Sequence, residues 1–236
     1  HLRGGKMKVE MLNVFFEETL VVIIRLDDKR LFSFQYSKNW LEASDSFQLS
    51  VSLPIQEAIF PDDKARPFFA NLLPESAVRE LVARQLGISE KNDFMLLKRI
   101  GGECAGAIII LPESILPESR EQYSYRQLSG GQLSELIKKI PERPLLAGED
   151  GIRISLAGAQ GKVVLFLKDS IFYIPLNGAP SNYILKPGML HFPSSIENEC
   201  FCMMLADDLN LPVPSVKILK EKEQKALLIK RYDRVY

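Results

Sequence analysis

The segment from Ser155 to Lys162 reads Ser-Leu-Ala-Gly-Ala-Gln-Gly-Lys and lies between two predicted strands. Because few side chains obstruct it, a loop of such small residues can bring main-chain N–H groups close to a phosphate. It is not a Walker A motif, because that motif needs a glycine where this chain has Leu156. It is not a dinucleotide fingerprint either, since Gly158 and Gly161 are its only glycines and no helix is predicted to follow. A phosphate-binding loop and an ordinary hairpin turn both remain open.

A second candidate is Lys186, which ends the apolar strand predicted over residues 183–186. Most lysines on strands are solvated, but a lysine that closes an apolar strand can point into a cleft. Protein kinases place a lysine on a strand after the phosphate loop, where it holds the α- and β-phosphates of the nucleotide. Lys186 is therefore a candidate phosphate ligand.

The helix predicted over residues 194–209 supplies an acidic partner. Ser194 and Glu197 have the spacing of a capping box, which assigns Glu197 to the helix end and leaves Glu199 without a structural duty. Glu199 shares a helix face with two residues that we expect to be buried, Met203 and Ala206. A buried carboxylate needs a partner, and Lys186 is the natural one. The alternative is that Glu199 is simply solvated.

Composition limits the remaining classes of function. Of 236 residues, 46% are hydrophobic and 25% are charged, which is enough for a substantial core. Thirty basic residues balance thirty acidic ones, so no general affinity for nucleic acid is expected. No apolar run approaches the roughly 18 residues that span a bilayer, so we expect no membrane partner. Two histidines and three cysteines without metal-type spacing predict no metal site, and unpaired thiols indicate a cytoplasmic protein.

Hydrophobic periodicity predicts an α+β fold in two parts. In the first part we predict strands at 9–16, 20–25, 31–36, 47–53 and 105–111, and helices at 66–73, 77–86 and 92–99, the last capped by Ser89. A polar stretch at 113–122 suits a linker. In the second part we predict helices at 128–140 and 194–209, and strands at 153–156, 162–167, 171–175, 183–186, 215–219 and 225–231.

The order in the second part is strand, small-residue loop, strand, strand with lysine, helix with glutamate, strand and strand. This is the order of a protein-kinase small lobe, and the sequence resembles the HipA-type serine/threonine kinases of bacterial toxin–antitoxin modules. In the second part the resemblance is carried by the segments 152–160, 183–187, 198–199 and 230–234. In the first part it is carried by Leu49-Ser50-Val51-Ser52-Leu53-Pro54, Phe68-Phe69-Ala70-Asn71-Leu72-Leu73-Pro74-Glu75 and Ile100-Gly101-Gly102-Glu103-Cys104-Ala105-Gly106-Ala107.

The resemblance implies a role for each candidate. Ser155 matches the serine that such kinases phosphorylate on themselves, and the added negative charge should draw the loop away from nucleotide phosphates. Glu199 matches the acid that supports the phosphate-binding lysine. The residues that match ATP-binding positions are those of the loop, the strand lysine and the hinge that meets adenine, namely Ala157, Gly158, Ala159, Gln160, Gly161, Lys162, Lys186, Lys230, Arg231 and Tyr232.

Two positions depart from the family pattern. Gly161 stands where an acidic residue is usual, and Lys230 stands where glutamate is expected. Hinge contacts come largely from the main chain, so nucleotide binding is compatible with Lys230 in place of glutamate. In this family the catalytic Asp, its partner Asn and the Mg²⁺-binding Asp lie beyond the hinge. We therefore expect no catalytic or metal-binding residue in this chain, and no activity from the chain alone.

These observations predict an amino-terminal mixed β/helical subdomain at residues 7–112. They also predict an incomplete kinase-like small lobe at 113–236, with an antiparallel sheet and one αC-type helix. The parent would use ATP and Mg²⁺ to phosphorylate a protein of the translation machinery, and growth would stop. Its expected partner is a helix-turn-helix antitoxin, and it would reach DNA only through that antitoxin. Two alternatives remain, a non-catalytic module that binds the antitoxin or a separate catalytic half, and a structural scaffold.

Overall fold

The computed structural model describes residues 9–234, which form an α+β structure. Residues 7–8 and 235–236, the ends of the two predicted parts, lie outside this range. The helices are α1 (Lys38–Glu42), α2 (Asp62–Ala70), α3 (Ser76–Leu86), α4 (Asp93–Ile100), α5 (Gly130–Lys139) and α6 (Ser195–Asp208). The strands are β1 (Glu10–Phe16), β2 (Thr19–Leu26), β3 (Phe32–Tyr36), β4 (Glu103–Cys104), β5 (Ile108–Pro112), β6 (Ser124–Gln127), β7 (Ile154–Ser155), β8 (Val163–Lys168), β9 (Ile171–Leu176), β10 (Tyr183–Pro187), β11 (Val216–Glu221) and β12 (Gln224–Lys230).

The first sheet is antiparallel, with its strands in the order β3-β2-β1-β5. Its first three strands lie where the sequence predicts them. On β3 the buried residues alternate with half-buried ones, as expected for a strand with one face on the core. The predicted strand at 105–111 begins later than expected, because residues 105–107 form a 3₁₀ turn in which Gly106 has a φ of +73°.

The predicted strand at 47–53 is wrong. This segment contains only an isolated bridge between Ser50 and Leu53. Phe47 packs edge-on against Trp40, whose indole N–H donates to the Phe47 carbonyl at 3.1 Å. Trp40 lies on the short helix α1, which was not predicted. The segment is therefore a loop in which Phe47 packs on Trp40 and Val51 is exposed.

Two helix boundaries also differ from prediction. Helix α2 begins at Asp62, four residues before the predicted start, and contains Pro67. Helix α4 is capped by Asn92, and not by Ser89, because the Asn92 side chain accepts a hydrogen bond from Met95 N at 3.2 Å.

The second sheet is also antiparallel and has the order β11-β12-β10-β8-β9-β6. Its hairpin between β8 and β9 turns at Asp169 and Ser170, which both have positive φ, as a two-residue hairpin turn requires. The edge strand β6 was not predicted, because its four residues are too few and too polar to show a pattern.

Two helices cover opposite faces of this sheet. On β12, Ala226 and Leu228 belong to the main core beside α5, while Leu227 and Ile229 pack with α6. The alternation follows from the two-residue period of a strand. The sequence predicts one αC-type helix at 194–209, and α6 lies at that position in the chain. Helix α5, predicted at 128–140, adds a second helix on the other face.

The two parts of the chain share one hydrophobic core. A single cluster of buried side chains extends from the first sheet through α5 to the second sheet. Strand β4 of the first part pairs with β7 of the second in a short parallel ladder. No helix among residues 9–234 is long and apolar enough to cross a membrane.

Candidate nucleotide-binding site

Lys186 and Glu199 meet at the junction of β10 and α6. The Lys186 ammonium donates to Glu199 Oε1 at 2.6 Å, and the two side chains are 20% and 33% exposed. Lys186 lies in the middle of the sheet, opposite Leu227 of β12. The expected contact between these two side chains is confirmed, and the alternative of a solvated Glu199 is not what the structure contains.

The start of α6 differs from its prediction. Ser194 is the residue that precedes α6, but its side chain makes no capping hydrogen bond. Glu197 instead forms an ion pair with Lys225 on β12. The two residues expected to be buried beside Glu199 are only half-buried, Met203 and Ala206. The capping box is therefore not formed, although Glu197 does have a structural partner that leaves Glu199 to Lys186.

Ser155 is completely buried at the start of the small-residue loop. It lies on β7 opposite Cys104, and its hydroxyl donates to the Leu72 carbonyl at 2.8 Å. A buried hydroxyl that makes a hydrogen bond is satisfied and costs little to bury. In this conformation the hydroxyl cannot reach a phosphoryl donor in solvent, so phosphorylation requires the loop to leave its place.

The rest of the loop is fixed at two further points. Gly158 has a φ of +107°, and its carbonyl accepts from the Glu75 N–H at 3.2 Å. The Gln160 side-chain amide donates to the Pro187 carbonyl at 2.8 Å, directly after Lys186. The loop thus lies beside the end of β10, and the structure brings the predicted loop and lysine together.

Lys162 lies at the base of the loop and is only 7% exposed. Its ammonium donates to the Ala157 carbonyl at 2.5 Å. The pKa of Lys162 is lowered to about 8, mainly by burial and next by the nearby Lys186 charge, while Glu75 and Glu199 act in the opposite direction. Lys162 and Lys186 therefore place positive charge beside the same loop, which suits the phosphates of a nucleotide.

Gly161 is explained by its neighbour α5. A Cβ at this position would lie 3.3 Å from the Ile140 carbonyl oxygen, just beyond the end of the helix. A larger side chain would need the end of α5 to move. The departure from the acidic residue usual in the family therefore matches a close approach of main chain to main chain.

The predicted hinge, residues 230–232, begins at the last residue of β12. The main-chain N–H groups of Lys230 and Arg231 are used, donating to Ser215 and Asn182 carbonyls. The Arg231 side chain is 4% exposed and pairs with Glu103, so it is not directed to a ligand in solvent. Tyr232 is 86% exposed. Sequence reasoning missed Glu103, whose position after two glycines gave no sign of a partner far along the chain.

A divalent cation finds no ready set of ligands in the described part of the chain. Residues 9–234 contain no group of three or more His, Cys, Asp or Glu side chains arranged to hold a metal ion. The residues that suit a nucleotide here are the two lysines, Lys162 and Lys186, and the small-residue loop.

Two family models match this chain. Residues 12–111 match the model of the HipA N-terminal domain, and residues 154–236 match that of the HipA-like C-terminal domain. The chain belongs to the HipA family. The predicted family is thereby confirmed, and the two matched segments leave α5 and the stretch around it between them.

Relatives in the HipA family extend the match to nearly the whole chain. A putative kinase, Y4mE, of Sinorhizobium fredii is 39% identical over 97% of this chain and 55% of its own length. The serine/threonine-protein kinase toxin HipA of Shewanella oneidensis is 31% identical over 86% of this chain and 45% of its own. The chain spans about half the length of the curated relatives it matches.

A solved HipA structure has the same fold. It is the Shewanella oneidensis complex of HipA, HipB and operator DNA, with a TM-score of 0.76 and 29% identity. The match covers 95% of this chain and 51% of that one. The mixed α+β architecture with antiparallel sheets is therefore that of HipA.

Proposed function

We propose that this chain is the nucleotide-binding half of a HipA-type serine/threonine kinase. One observation carries the proposal: the Lys186–Glu199 ion pair lies beside a small-residue loop that has a second lysine, Lys162, at its base. Positive charge next to a loop with little side-chain bulk suits the phosphates of ATP. Family membership and the kinase names of two relatives support the same ligand.

In this proposal the second part of the chain is a kinase-like small lobe with α6 as its αC-type helix. Phosphates lie against the loop, Lys162 and Lys186, and adenine lies against the segment that follows β12. ATP with Mg²⁺ supplies the phosphoryl group that a serine or threonine hydroxyl accepts. The residues of this chain bind and orient the nucleotide. The catalytic Asp, its partner Asn and the Mg²⁺ ligands belong to the carboxyl-terminal half of such kinases.

Ser155 remains the proposed site of autophosphorylation. Its hydroxyl is buried against Leu72, so transfer requires the loop to open. A phosphate on Ser155 carries about −1.5 to −2 charges and cannot return to a buried site that offers only a carbonyl. Phosphorylation would therefore hold the loop open and disrupt the phosphate site.

The partners of the parent kinase are part of the proposal. The matching HipA structure contains HipB and operator DNA. We extend this arrangement to the present protein as a helix-turn-helix antitoxin that binds DNA, with contact to DNA only through the antitoxin. The substrate is proposed to be a component of translation, such as an aminoacyl-tRNA synthetase, in the cytoplasm. Its phosphorylation would arrest growth.

The binding of ATP tests the central claim. We expect a fluorescent ATP analogue to bind the wild-type chain, and Lys186→Met to raise its Kd by at least about tenfold through loss of one charge-assisted phosphate contact. Glu199→Gln should raise the Kd less, because it removes only the group that positions Lys186. ATP should also slow the labelling of Lys186 by an amine reagent.

Matched controls separate position from charge. Lys168→Met removes an exposed lysine at the end of β8, and Glu197→Gln removes the neighbouring acid of α6. Both should bind ATP like the wild-type chain. The proposal fails if all four variants bind equally, and a scaffold role is supported if ATP leaves the labelling of Lys186 unchanged.

A second candidate function rests on the outer faces of α6. Only Ile196 and Cys200 of this helix are buried, whereas several large apolar residues are exposed, namely Phe201, Met204 and Leu205. A helix with apolar residues on several faces usually has a partner. The alternative is a non-catalytic module that binds the antitoxin or a separate catalytic half. The binding of labelled ATP distinguishes the two, because this alternative needs no ATP site. Phosphorylation of Ser155 by the chain alone would contradict both this alternative and our expectation that the chain is inactive.

A further inference from the structure

Glu103 is a buried carboxylate in the first part of the chain. It lies on β4 and is 3% exposed. Its Oε1 atom accepts hydrogen bonds from the Ser181 N–H at 2.9 Å, the Ser181 hydroxyl at 2.6 Å and Arg231 Nη1 at 2.9 Å. Ser181 precedes β10 and Arg231 follows β12. One carboxylate oxygen therefore joins β4 to the ends of two strands in the second sheet.

Arg231 connects the same segments from the other side. Its guanidinium binds Asp233 in a bidentate pair, with Nε–Oδ1 at 2.9 Å and Nη2–Oδ2 at 2.6 Å. Nη2 also donates to the Cys104 carbonyl at 3.3 Å, and Asp233 Oδ2 accepts from the Gly106 N–H at 3.1 Å. The segment from Arg231 to Asp233 is thus held against residues 103–106 by charged groups and by the main chain.

The energetics favour a positioning role over a purely stabilising one. Removing two charges from water offsets most of the gain from a buried ion pair, so such a pair is weak evidence for stability. Within the described residues, Glu103 Oε2 is buried without a hydrogen-bond partner, which adds a further cost. The buried Glu103–Arg231 contact and the bidentate Arg231–Asp233 pair do fix the distance and orientation of the arginine side chain closely.

We propose that Glu103 is a positioning residue of the nucleotide site, which fixes the segment Lys230–Tyr232 through Arg231 and so sets the adenine-binding edge of the cleft. This inference rests on the proposed function, because that segment is where adenine is placed. It makes the amino-terminal part of the chain a component of the site, since β4 supplies the anchor. Lys162 and Lys186, at the phosphate end, lie outside this network of contacts.

The first test compares ligands that do and do not contain a base. Glu103→Gln keeps the shape of the side chain and removes its charge. We expect it to raise the Kd of ATP by about tenfold, to lower the preference for ATP over GTP, and to change the Kd of inorganic tripolyphosphate by less than about twofold. Glu113→Gln, in the exposed linker, is the control and should match the wild type. An unchanged preference for ATP, or an equal loss of tripolyphosphate binding, overturns the inference.

The second test needs no nucleotide. In Glu103→Gln the main-chain amides of residues 230–234 should exchange with deuterium at least about tenfold faster, while those of β8 and β9 keep their wild-type rates. If exchange at 230–234 is unchanged, or rises equally throughout the chain, Glu103 has no specific positioning role. Ser181→Ala, which removes one neutral donor to the same carboxylate, should give a smaller effect in the same direction and serves if Glu103→Gln does not fold.

The two tests separate the inference from the proposed function. If the wild-type chain binds neither ATP nor tripolyphosphate, the proposed nucleotide site is wrong, while amide exchange still decides whether Glu103 fixes the segment. If the wild-type chain binds ATP selectively and Glu103→Gln keeps both that selectivity and the slow exchange, the nucleotide site stands and the role of Glu103 is wrong.

Discussion

At the scale of single residues, Lys162 and Lys186 carry like charges close to each other, which is unfavourable. Burial is the largest cause of the lowered pKa of Lys162, and Lys186 is the next. Glu75 and Glu199 offset part of this effect. A polyanion bound beside the loop would relieve the repulsion between the two lysines. Binding of the polyanion and protonation of Lys162 are therefore coupled.

The lowered pKa of Lys162 predicts that the stability of the fold depends on pH. Lys162 has a pKa of about 8 in the folded chain and about 10.5 when exposed, so between these values the unfolded chain binds more protons. Lys162 should therefore contribute an increase in the free energy of unfolding across this window, by up to about 3 kcal/mol in all, whereas the buried thiol of Cys104, whose pKa is raised to about 12, acts in the opposite direction at the upper end. Urea unfolding at a series of pH values measures it. Lys162→Met should lack this increase and Lys168→Met should retain it; equal slopes in wild type and Lys162→Met would contradict the prediction.

At the scale of elements, the loop is placed by the segment that joins α2 to α3. The Leu72 carbonyl binds the Ser155 hydroxyl, and the Glu75 N–H binds the Gly158 carbonyl. On its other side, β7 pairs with β4. A loop of small residues has little packing of its own, so its conformation depends on these contacts with the first part of the chain.

Substitutions of Ser155 test this dependence. Ser155→Ala leaves the Leu72 carbonyl without its partner and should lower the free energy of unfolding by about 1–3 kcal/mol. Ser155→Asp places an unpaired charge in the same buried site, so its cost should be larger, and the loop should leave its place. Urea unfolding measures the first effect, and proteolysis within residues 156–161 measures the second. Ser114→Ala, in the exposed linker, should change neither. Equal loop cleavage in Ser155→Asp and wild type would show that the loop does not depend on this contact.

At the scale of the whole molecule, a single core joins the two parts that the sequence divides. The sequence predicts a boundary at the linker 113–122, and the two family matches end at residue 111 and begin at residue 154. Nevertheless, buried residues of both sheets belong to one cluster. A boundary that is clear in sequence is therefore bridged in space by packing and by the β4–β7 ladder.

Whether a contact could be predicted from the sequence depends on how far apart its two residues lie along the chain. The contact of Lys186 with Glu199 was predictable, because a strand and the next helix bring residues 13 positions apart together. Glu103 and Arg231 are 128 positions apart, and their contact depends on how the two parts pack. The strand at 47–53 was predicted wrongly for a related reason, since Phe47 packs on Trp40 of α1 and the segment forms an isolated bridge in place of a ladder. Local periodicity reports burial, but it does not report which distant element provides it.

The shared core predicts that the chain unfolds as one unit. Trp40 is the only tryptophan and lies in the first part, while Cys202 is exposed on α6 in the second. Tryptophan fluorescence and a fluorescent label on Cys202 should therefore report the same midpoint in urea. Leu165→Ala, at a fully buried position on β8, should lower the free energy of unfolding by about 2–5 kcal/mol and shift both midpoints together. A shift of the label's midpoint alone would mean that the two parts unfold independently, and an anchor in one part could then not hold the nucleotide site of the other.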